Sequence, residues 1–214
     1  VIHNADGSRP EACGNGLRCV ARFAREQGLA GADTVRVETD AGLRVVELLC
    51  VDGEPRLARA RMGRARLEAI GEGLEVEGER FEATVVDMGN PHCVLFVDDE
   101  RGAPVERLGP ALERHARFPA RTNVEFVACR DGRLAVRVWE RGVGETAACG
   151  TGACAAAIAA ARLGLERLPL EVDLPGGRLV VSLGPDGQVQ LEGPCLRHTD
   201  GEWTPARDSA RVER

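Results

Sequence analysis

The order of apolar and polar positions predicts two helices that resemble each other. Between residues 13 and 28, apolar side chains recur at helical spacing, at Leu17, Val20, Ala21 and Ala24. Residues 153–163 are rich in alanine, the strongest helix former. Gly28 and Gly164 follow these stretches, where a helix commonly ends in a left-handed residue. Each predicted helix is followed by valine-rich strands around a turn, at 40–42 and at 175–177.

The rest of the chain predicts strands and one more helix. Apolar runs indicate strands over residues 83–86, 94–98, 123–129, 134–139 and 188–191. The further helix is expected to begin near Pro110, which would occupy its first turn, with Leu112 and His115 on one face. Runs of strands around a few helices are typical of an α+β fold rather than of a doubly wound parallel sheet.

The two similar regions form an internal repeat. The stretch Ala12-Cys13-Gly14-Asn15-Gly16 recurs 136 residues later as Ala148-Cys149-Gly150-Thr151-Gly152. The helices, the glycines that end them and the hairpins then correspond in the same order. The repeat predicts two equivalent halves with a boundary between residues 62 and 72, and it gives Cys13 and Cys149 equivalent positions.

Composition and charge exclude several classes of function. No apolar run approaches the roughly 20 residues that a membrane helix needs, so no membrane contact is expected. The net charge is −6 without a block of like charges, which gives no sign of a nucleic-acid partner. All 28 basic residues are Arg, so this sequence has no lysine to hold pyridoxal phosphate as a Schiff base.

The eight cysteines indicate neither a disulfide scaffold nor a metal site. The chain is long enough for an adequate core, it shows no export signal, and no CxxC or HxxxH spacing occurs. These features predict a cytoplasmic protein with reduced thiols and no bound metal. Six cysteines are expected to be structural, most of them as inert buried side chains: Cys19, Cys50, Cys93, Cys129, Cys154 and Cys195.

The other two cysteines, Cys13 and Cys149, each precede a predicted helix. Free N–H groups and the helix dipole there favour the thiolate and lower the thiol pKa, and the adjoining glycines let the backbone approach a carboxylate. One such cysteine can be a nucleophile, a redox thiol or an inert residue. Two of them, placed by a duplication, can face each other as base and acid on opposite sides of an α-carbon. We hypothesise that the pair inverts an amino-acid stereocentre without a cofactor, and that the helix N-termini stabilise the carbanion.

Five motifs, taken in order, carry a resemblance to a known family. They are Asn4-Ala5-Asp6-Gly7-Ser8, Cys13-Gly14-Asn15-Gly16, Gly89-Asn90-Pro91-His92-Cys93, Arg121-Thr122-Asn123-Val124, and Glu140-Arg141-Gly142-Val143-Gly144-Glu145-Thr146 leading to Cys149-Gly150-Thr151-Gly152. Together they resemble diaminopimelate epimerase and span nearly the whole chain. The asparagine at position 15 resembles the diaminopimelate branch of the fold, since proline racemase-like enzymes usually have His at this position.

The resemblance implies a role for each matching residue. The fold it implies has two pseudo-symmetric halves of mixed or antiparallel sheet wrapped around a central helix, with the active site in the cleft between them. Cys13 and Cys149 would be the acid and the base. Backbone N–H groups would bind the α-carboxylate at Gly14, Asn15, Gly150 and Thr151. The distal amino-acid end would be held by Asn4, Asn90, Asn123, Arg141 and the carbonyl of Glu140. His92 and Glu140 would influence the protonation of the thiols.

The expected domains follow from the repeat and the resemblance together. One half would comprise residues 1–66, completed by 194–206, the second would comprise 67–193, and 207–214 would be a disordered tail. The family normally begins with a further segment that carries a His-Gly-x-Gly-Asn-Asp-Phe motif. Nothing in this chain matches it, so the chain is expected to be truncated at its N-terminus relative to the family.

The implied function is cofactor-independent interconversion of L,L-diaminopimelate and meso-diaminopimelate, in lysine and cell-wall precursor biosynthesis. The only partner expected is the small amino-acid substrate, and a homodimer is compatible with the resemblance. Three alternatives remain open. They are a racemase or isomerase of the same fold that acts on proline derivatives or another amino acid, a thiol-redox protein with a Cys13–Cys149 disulfide, and a non-catalytic fragment.

Overall fold

The computed structural model describes residues 13–40 and 42–197, and the structural statements below refer to this part of the chain. Its helices are α1 (Gly14–Glu26), α2 (Val105–Glu113) and α3 (Gly150–Leu163). Its strands are β1 (Thr34–Thr39), β2 (Gly42–Val51), β3 (Glu54–Gly63), β4 (Arg66–Val76), β5 (Glu79–Asp87), β6 (Pro91–Phe96), β7 (Asn123–Arg130), β8 (Arg133–Glu140), β9 (Gly144–Thr146), β10 (Leu170–Leu174), β11 (Gly177–Leu183) and β12 (Val189–Pro194). None of the helices in this part is long and apolar enough to cross a membrane.

The strands join into one mixed sheet. Its order is β1-β2-β3-β12-β11-β10-β8-β7-β6-β5-β4, and β9 pairs with β8 beside this path. Neighbouring strands are antiparallel except for two parallel pairs, β6 with β7 and β8 with β10. Helix α2 lies in the connection between β6 and β7, and α3 lies in the connection between β8 and β10, as parallel neighbours require. The predicted α+β class with a mixed sheet is confirmed.

Helix α3 lies at the centre of the main hydrophobic core. It contacts strands β5 to β8 and β10 to β12, and every residue from Gly150 to Ala160 is buried. A helix that is apolar on all sides is typical of such a central position. Its alanines are small enough to let the sheet approach from several directions at the density of a protein interior.

Helix α2 covers the opposite face of the sheet. Val85 and Phe126 belong to a second cluster together with Leu112 of α2, whereas the adjacent residues Val86 and Val127 belong to the core around α3. Successive side chains of a strand point to opposite faces, so the middle strands are covered on both sides. This explains why their sequences are almost continuously apolar.

The internal repeat is present in the backbone. Cys13 and Cys149 are the N-cap residues of α1 and α3, both with φ of −120° and with ψ of 105° and 113°. Each of these helices leads into an antiparallel hairpin, β1 with β2 and β10 with β11. Helix α3 ends at Gly164, whose φ of 73° is left-handed, as its sequence predicted.

The boundaries of α2 and β6 differ from the predicted ones for reasons that the packing explains. Helix α2 begins at Val105, so Pro110 lies inside it, and His115 lies beyond its C-cap. The sequence rule places a proline in the first turn of a helix, but the burial of Val105 and Leu108 stabilises a turn before Pro110. This packing outweighs the backbone hydrogen bond that a proline inside a helix removes. Strand β6 begins at residue 91 rather than at 94, since the polar His92 is paired and buried within it.

The division of the chain into two halves stays a prediction. Strand β3 ends at Gly63 and β4 begins at Arg66, and the two strands lie far apart in the sheet. Strand β12 pairs with both β3 and β11, so the hydrogen bonding is continuous between the predicted halves. Residues 198–206, which were expected to complete the first half, and the predicted tail lie outside the described residues.

The central position of α3 predicts that its alanines tolerate no enlargement. We expect Ala157→Leu to lower the free energy of unfolding by about 1–3 kcal/mol, because the site is fully buried and the added carbons would force the strands apart. Urea denaturation measures the effect. The matched control is Ala161→Leu, one turn further along the same helix and partly exposed. Equal losses at both positions would contradict the packing argument.

Candidate active site

Both predicted catalytic cysteines cap the N-terminus of a helix. The sulfur of Cys13 accepts a hydrogen bond from the backbone N–H of Gly16 at 3.3 Å, and the sulfur of Cys149 accepts one from Gly152 at 3.4 Å. The preceding N–H groups of each first turn have no acceptor within their helix. Those groups belong to Gly14 and Asn15 in α1 and to Gly150 and Thr151 in α3. Each cysteine therefore stands beside backbone donors suited to an anion.

The two helix N-termini meet at a pair of glycines. A Cβ added to Gly150 would lie 3.2 Å from the Cα of Gly14 and 2.9 Å from the side chain of Leu191. A Cβ added to Gly14 would lie 3.0 Å from the same leucine. Only residues without a side chain allow this approach. The contact brings the positive ends of two helix dipoles to one place, which favours a bound carboxylate.

Hydrogen bonds between the repeats fix this contact. The side chain of Asn15 donates to the carbonyl of Ala148 at 3.3 Å, directly before Cys149. Arg18, which is buried, donates to the side-chain oxygen of Asn15 at 2.8 Å and to the carbonyl of Gly14 at 3.2 Å. Asn15 was predicted to contribute its backbone N–H, and its side chain has a second role that the sequence did not indicate.

The hairpin of the second repeat supports the segment that leads into α3. The N–H of Gly176 donates to the carbonyl of Ala147 at 2.7 Å. A Cβ on Gly176 would lie 2.9 Å from that carbonyl oxygen, so a larger residue would push the segment away. The turn between β10 and β11 thus helps to fix the position of Cys149.

The two sulfurs have different surroundings. Cys149 is 6% exposed, whereas Cys13 is half-buried. Burial raises the pKa of the Cys149 thiol, the nearby carboxylate of Glu140 raises it further, and hydrogen bonds from Thr151 and Gly152 oppose the change. The predicted lowering of the thiol pKa by the helix N-terminus is therefore wrong for Cys149, because desolvation is the larger effect. This residue is a neutral thiol near neutral pH.

A buried carboxyl–imidazole pair lies behind Cys149. Nδ1 of His92 lies 2.6 Å from Oε1 of Glu125, and both side chains are fully buried. Burial raises the pKa of the Glu125 carboxyl, and the neighbouring His92 opposes that rise. The same carboxyl packs on the first turn of α3, where a Cβ on Gly152 would lie 2.8 Å from Oε1.

The pair is connected to the first turn of α3 through Asn90. Nε2 of His92 lies 3.0 Å from Oδ1 of Asn90, and Nδ2 of Asn90 donates to the hydroxyl of Thr151 at 3.4 Å. That hydroxyl lies 3.5 Å from the sulfur of Cys149. Hydrogen bonds therefore join four predicted site residues in one series, which are Cys149, Thr151, Asn90 and His92. The residue at the far end of this series, Glu125, was not predicted.

The described residues that were predicted to hold the distal end of a substrate lie at the same end of the neighbouring strands β6, β7 and β8. Asn123 stands opposite His92 in the parallel pair of β6 and β7. Its side chain donates to the carbonyl of Pro91 at 2.9 Å and accepts from the N–H of Arg141 at 3.0 Å. The carboxylate of Glu140 accepts a hydrogen bond from the hydroxyl of Thr146. The backbone carbonyl of Glu140 accepts one from the backbone N–H of Val143.

Arg141 lies in the turn that follows β8. It is half-buried, and Nη1 donates to the carbonyl of Ala120 at 3.4 Å. Asn4, also predicted to bind the distal end, lies outside the described residues. The remaining predicted site residues form one contiguous region, while their individual roles stay predictions.

Sequence reasoning missed a second buried carboxylate besides Glu125. Glu113 accepts hydrogen bonds from the N–H of Gly142 at 3.0 Å and from the indole of Trp139 at 2.8 Å. It thereby fixes the turn that carries Arg141. Glu125 had a detectable signal in the sequence, because it is a charged residue inside an apolar run, 124–128, that predicts a buried strand. Glu113 had no comparable signal.

The other cysteines are less uniform than predicted. Cys93, Cys154 and Cys195 are buried, but Cys19, Cys50 and Cys129 are exposed, so the expectation that most of the six are buried is wrong. Burial raises the pKa of the Cys154 thiol to about 12. All eight cysteines are free thiols. Among the residues that the structure describes, no group of three or more His, Cys, Asp and Glu side chains is arranged to hold a metal ion.

The family model and the relatives with similar sequences all carry the same name. The sequence model described as diaminopimelate epimerase matches residues 1–68 and 84–195. A protein of Desulforudis audaxviator (strain MP104C) named diaminopimelate epimerase is 47% identical over 96% of this chain and 78% of its own length. One of the same name from Pseudomonas paraeruginosa (strain DSM 24068 / PA7) is 48% identical over 94% of this chain and 76% of its own length.

Solved structures with lower sequence identity share the fold. A probable proline racemase from Agrobacterium radiobacter K84, with bound carbonate, has a TM-score of 0.72 at 18% identity, over 89% of this chain and 67% of its own. A hydroxyproline epimerase from Agrobacterium vitis, with bound trans-4-hydroxy-L-proline, has a TM-score of 0.69 at 18% identity, over 89% and 65% of the two chains.

The glycine contact between the helices predicts a specific sensitivity. We expect Gly150→Ala to lower the free energy of unfolding by about 1–3 kcal/mol, because its Cβ would overlap Leu191 and the backbone of Gly14. Chemical denaturation measures the loss. Gly31→Ala is the matched control, since its Cβ would meet nothing within 4 Å, and it should be neutral or slightly stabilising. A Gly150→Ala protein as stable as the control would refute the close approach.

The burial of Cys149 predicts an unusual pH dependence of its reactivity. Because the pKa of this thiol is raised, its thiolate fraction should still be growing at about pH 10, where an ordinary cysteine thiol has already ionised. We expect the alkylation rate of Cys149, followed by peptide mass spectrometry, to keep rising there while that of a cysteine in an unstructured peptide has levelled off. A plateau for Cys149 below about pH 9 would contradict the assignment.

Proposed function

Because the chain belongs to the diaminopimelate epimerase family, we propose that it interconverts L,L-diaminopimelate and meso-diaminopimelate by proton transfer between its α-carbon and the sulfurs of Cys13 and Cys149. The chain is thus an isomerase. The observation that carries the two-thiol mechanism is the symmetric capping of two adjoining helix N-termini by these cysteines. Two acid–base groups related by a duplication suit the two faces of one stereocentre.

The helix termini supply the electrostatic part of the mechanism. Backbone N–H groups of Gly14 and Asn15 in one helix, and of Gly150 and Thr151 in the other, bind the α-carboxylate of the substrate. As the α-proton leaves, negative charge spreads from the α-carbon towards this carboxylate, and the donors bind it more strongly. Preorganised donors in a partly buried cleft thereby replace the electron sink that a cofactor provides in other amino-acid racemases.

The proton balance assigns a starting role to each sulfur. In one direction of the reaction, the thiol of Cys149 donates its proton while the thiolate of Cys13 removes the α-proton from the opposite face. The raised pKa of Cys149 suits it to the role of donor. The C–H bond breaks on one side while a new one forms on the other. After this turnover Cys13 is the thiol and Cys149 the thiolate. The starting state returns in the reverse reaction, in which Cys149 removes the α-proton and Cys13 donates its own. It also returns when Cys13 gives its proton to solvent and Cys149 takes one from solvent, which the raised pKa of Cys149 favours.

The distal end of the substrate determines specificity. Diaminopimelate carries a second amino and carboxylate group, and the cation of Arg141 suits that carboxylate. Asn123 and Asn90 lie at the same end of the neighbouring strands β7 and β6, and the side chain of Asn123 accepts a hydrogen bond from the backbone of Arg141. We place the protein in the cytoplasm, because eight free thiols, two of them required for catalysis, are retained best in a reducing compartment.

Deuterium incorporation at the α-carbon tests the proposal. In reducing buffer we expect L,L-diaminopimelate to exchange its α-proton with solvent, and Cys13→Ala and Cys149→Ala each to lower turnover by at least about 10²-fold, because each removes one proton-transfer group. Cys154→Ala is the matched control, since this buried cysteine of α3 caps no helix. Equal activity in all three variants would refute the two-thiol mechanism. Exchange of proline but not of diaminopimelate would refute the substrate.

A further inference from the structure

Glu125 stands out as a buried charged residue that the proposed reaction does not use. Its side chain is fully buried on β7, and Oε2 has no hydrogen-bond partner among the described residues. Its only side-chain partner there is His92, at 2.6 Å. Burying a carboxyl without a cation or several donors is costly, so a role beyond packing has to account for it.

The hydrogen bonds that start at Glu125 end at the sulfur of Cys149. They pass from His92 to Asn90 at 3.0 Å, from Asn90 to Thr151 at 3.4 Å, and from the hydroxyl of Thr151 to the sulfur at 3.5 Å. These residues come from three separate elements, β7, the start of β6 and the first turn of α3. No equivalent series is present at Cys13 among the described residues.

The two hydrogen bonds of the Asn90 side chain reveal which atoms donate along this series. Its amide nitrogen donates to the hydroxyl oxygen of Thr151, so its oxygen must accept from Nε2–H of His92. The hydroxyl hydrogen of Thr151 is then available to the sulfur. With a proton on Nε2, the Nδ1 atom of His92 and Oε1 of Glu125 share one further proton, which makes the pair neutral overall in either form.

We infer that Glu125 is a positioning residue for the catalytic thiol, because through His92 and Asn90 it turns the hydroxyl of Thr151 towards the sulfur of Cys149. The inference rests on the proposed function in one respect, namely that Cys149 is a reacting group. Thr151 donates to the sulfur as it becomes a thiolate, and Glu125 determines which nitrogen of His92 carries the proton that sets this direction.

A carboxylate acting simply as a nearby charge would have the opposite effect. The charged and titratable groups that face Cys149 are Glu125 on β7 and Glu140 on β8, and Glu125 itself faces His92, Glu140 and Cys93. If Glu125 were an unpaired anion, its removal would make Cys149 ionise more readily. If it orders the hydrogen bonds, its removal makes Cys149 a poorer thiolate. The two explanations predict changes of opposite sign.

The experiment compares two substitutions of Glu125 by the rate at which iodoacetamide alkylates Cys149 from pH 7 to pH 10, followed by peptide mass spectrometry. We expect Glu125→Ala to slow this reaction about fivefold at fixed pH and to move its pH profile upwards, as the loss of one ordinary hydrogen bond to the thiolate would. We expect Glu125→Gln to stay within about twofold of the unmodified protein, because its amide N–H can donate to Nδ1 and keep the proton on Nε2.

Three controls isolate the effect. Cys13 in the same samples should keep its alkylation profile, since the hydrogen bonds do not reach it. Glu100→Gln changes another buried glutamate away from this series and should leave Cys149 unaffected. Thr151→Val removes the hydroxyl that contacts the sulfur, and it should slow the alkylation of Cys149 as much as Glu125→Ala does. The double variant Glu125→Ala/Thr151→Val should react no more slowly than Thr151→Val alone.

Each outcome decides the inference. Faster alkylation of Cys149 in both Glu125 variants would overturn it in favour of a simple charge effect, and equal slowing of Cys13 and Cys149 would show a general structural change instead. If Glu125→Ala does not fold, Glu125→Gln and Thr151→Val still distinguish the explanations. Because no substrate is used, a failure of diaminopimelate exchange would overturn the proposed function and leave this result unchanged.

Discussion

The contact between Gly14 and Gly150 is the constraint on which the site depends. Two helices can approach end to end only if neither carries a side chain at the point of contact, and both first turns satisfy this condition. Helix N-termini repel each other electrostatically, so the arrangement is stable only with compensating interactions. The side chain of Asn15 provides part of them by linking the two repeats, and Arg18 holds that side chain in place. A substrate carboxylate would provide the remainder, so that binding relieves a repulsion built into the protein.

The duplication gave two similar turns, but the surrounding structure makes them chemically different. Cys149 begins a helix enclosed by the sheet, and carboxyl groups lie behind its sulfur. Cys13 begins a helix on the margin of the same core and is half-buried. A reaction that needs an acid and a base at the same moment benefits from this difference, because two identical thiols would both tend to be protonated or both ionised. The asymmetry arises from packing around residues whose local sequences are nearly the same.

Much of this architecture was predictable from local patterns. The apolar spacing of α1, the alanine content of α3 and the glycines after them specify two helices that the structure confirms. The repeat identified the two cysteines without any structural information. What the sequence did not contain was the balance between helix dipole and desolvation at Cys149, because burial depends on strands that are distant in the chain. The start of α2 was missed for a similar reason, since Val105 and Leu108 are held by tertiary contacts. The pairing of Glu125 with His92 could not be predicted, because the two residues lie 33 positions apart on different strands.

Strand β12 has a mechanical consequence for the distance between the two sulfurs. It pairs with β3, which supports α1, and with β11, which supports α3, and Leu191 in its middle packs under both Gly14 and Gly150. A motion that separated the helices would therefore have to deform a strand in the interior of a sheet. Because β12 is hydrogen-bonded on both sides, the spacing between the two helix N-termini depends on the backbone of the sheet as well as on the side chains around the cysteines. A substitution that disturbs the packing of Leu191 would therefore affect both helix N-termini at once.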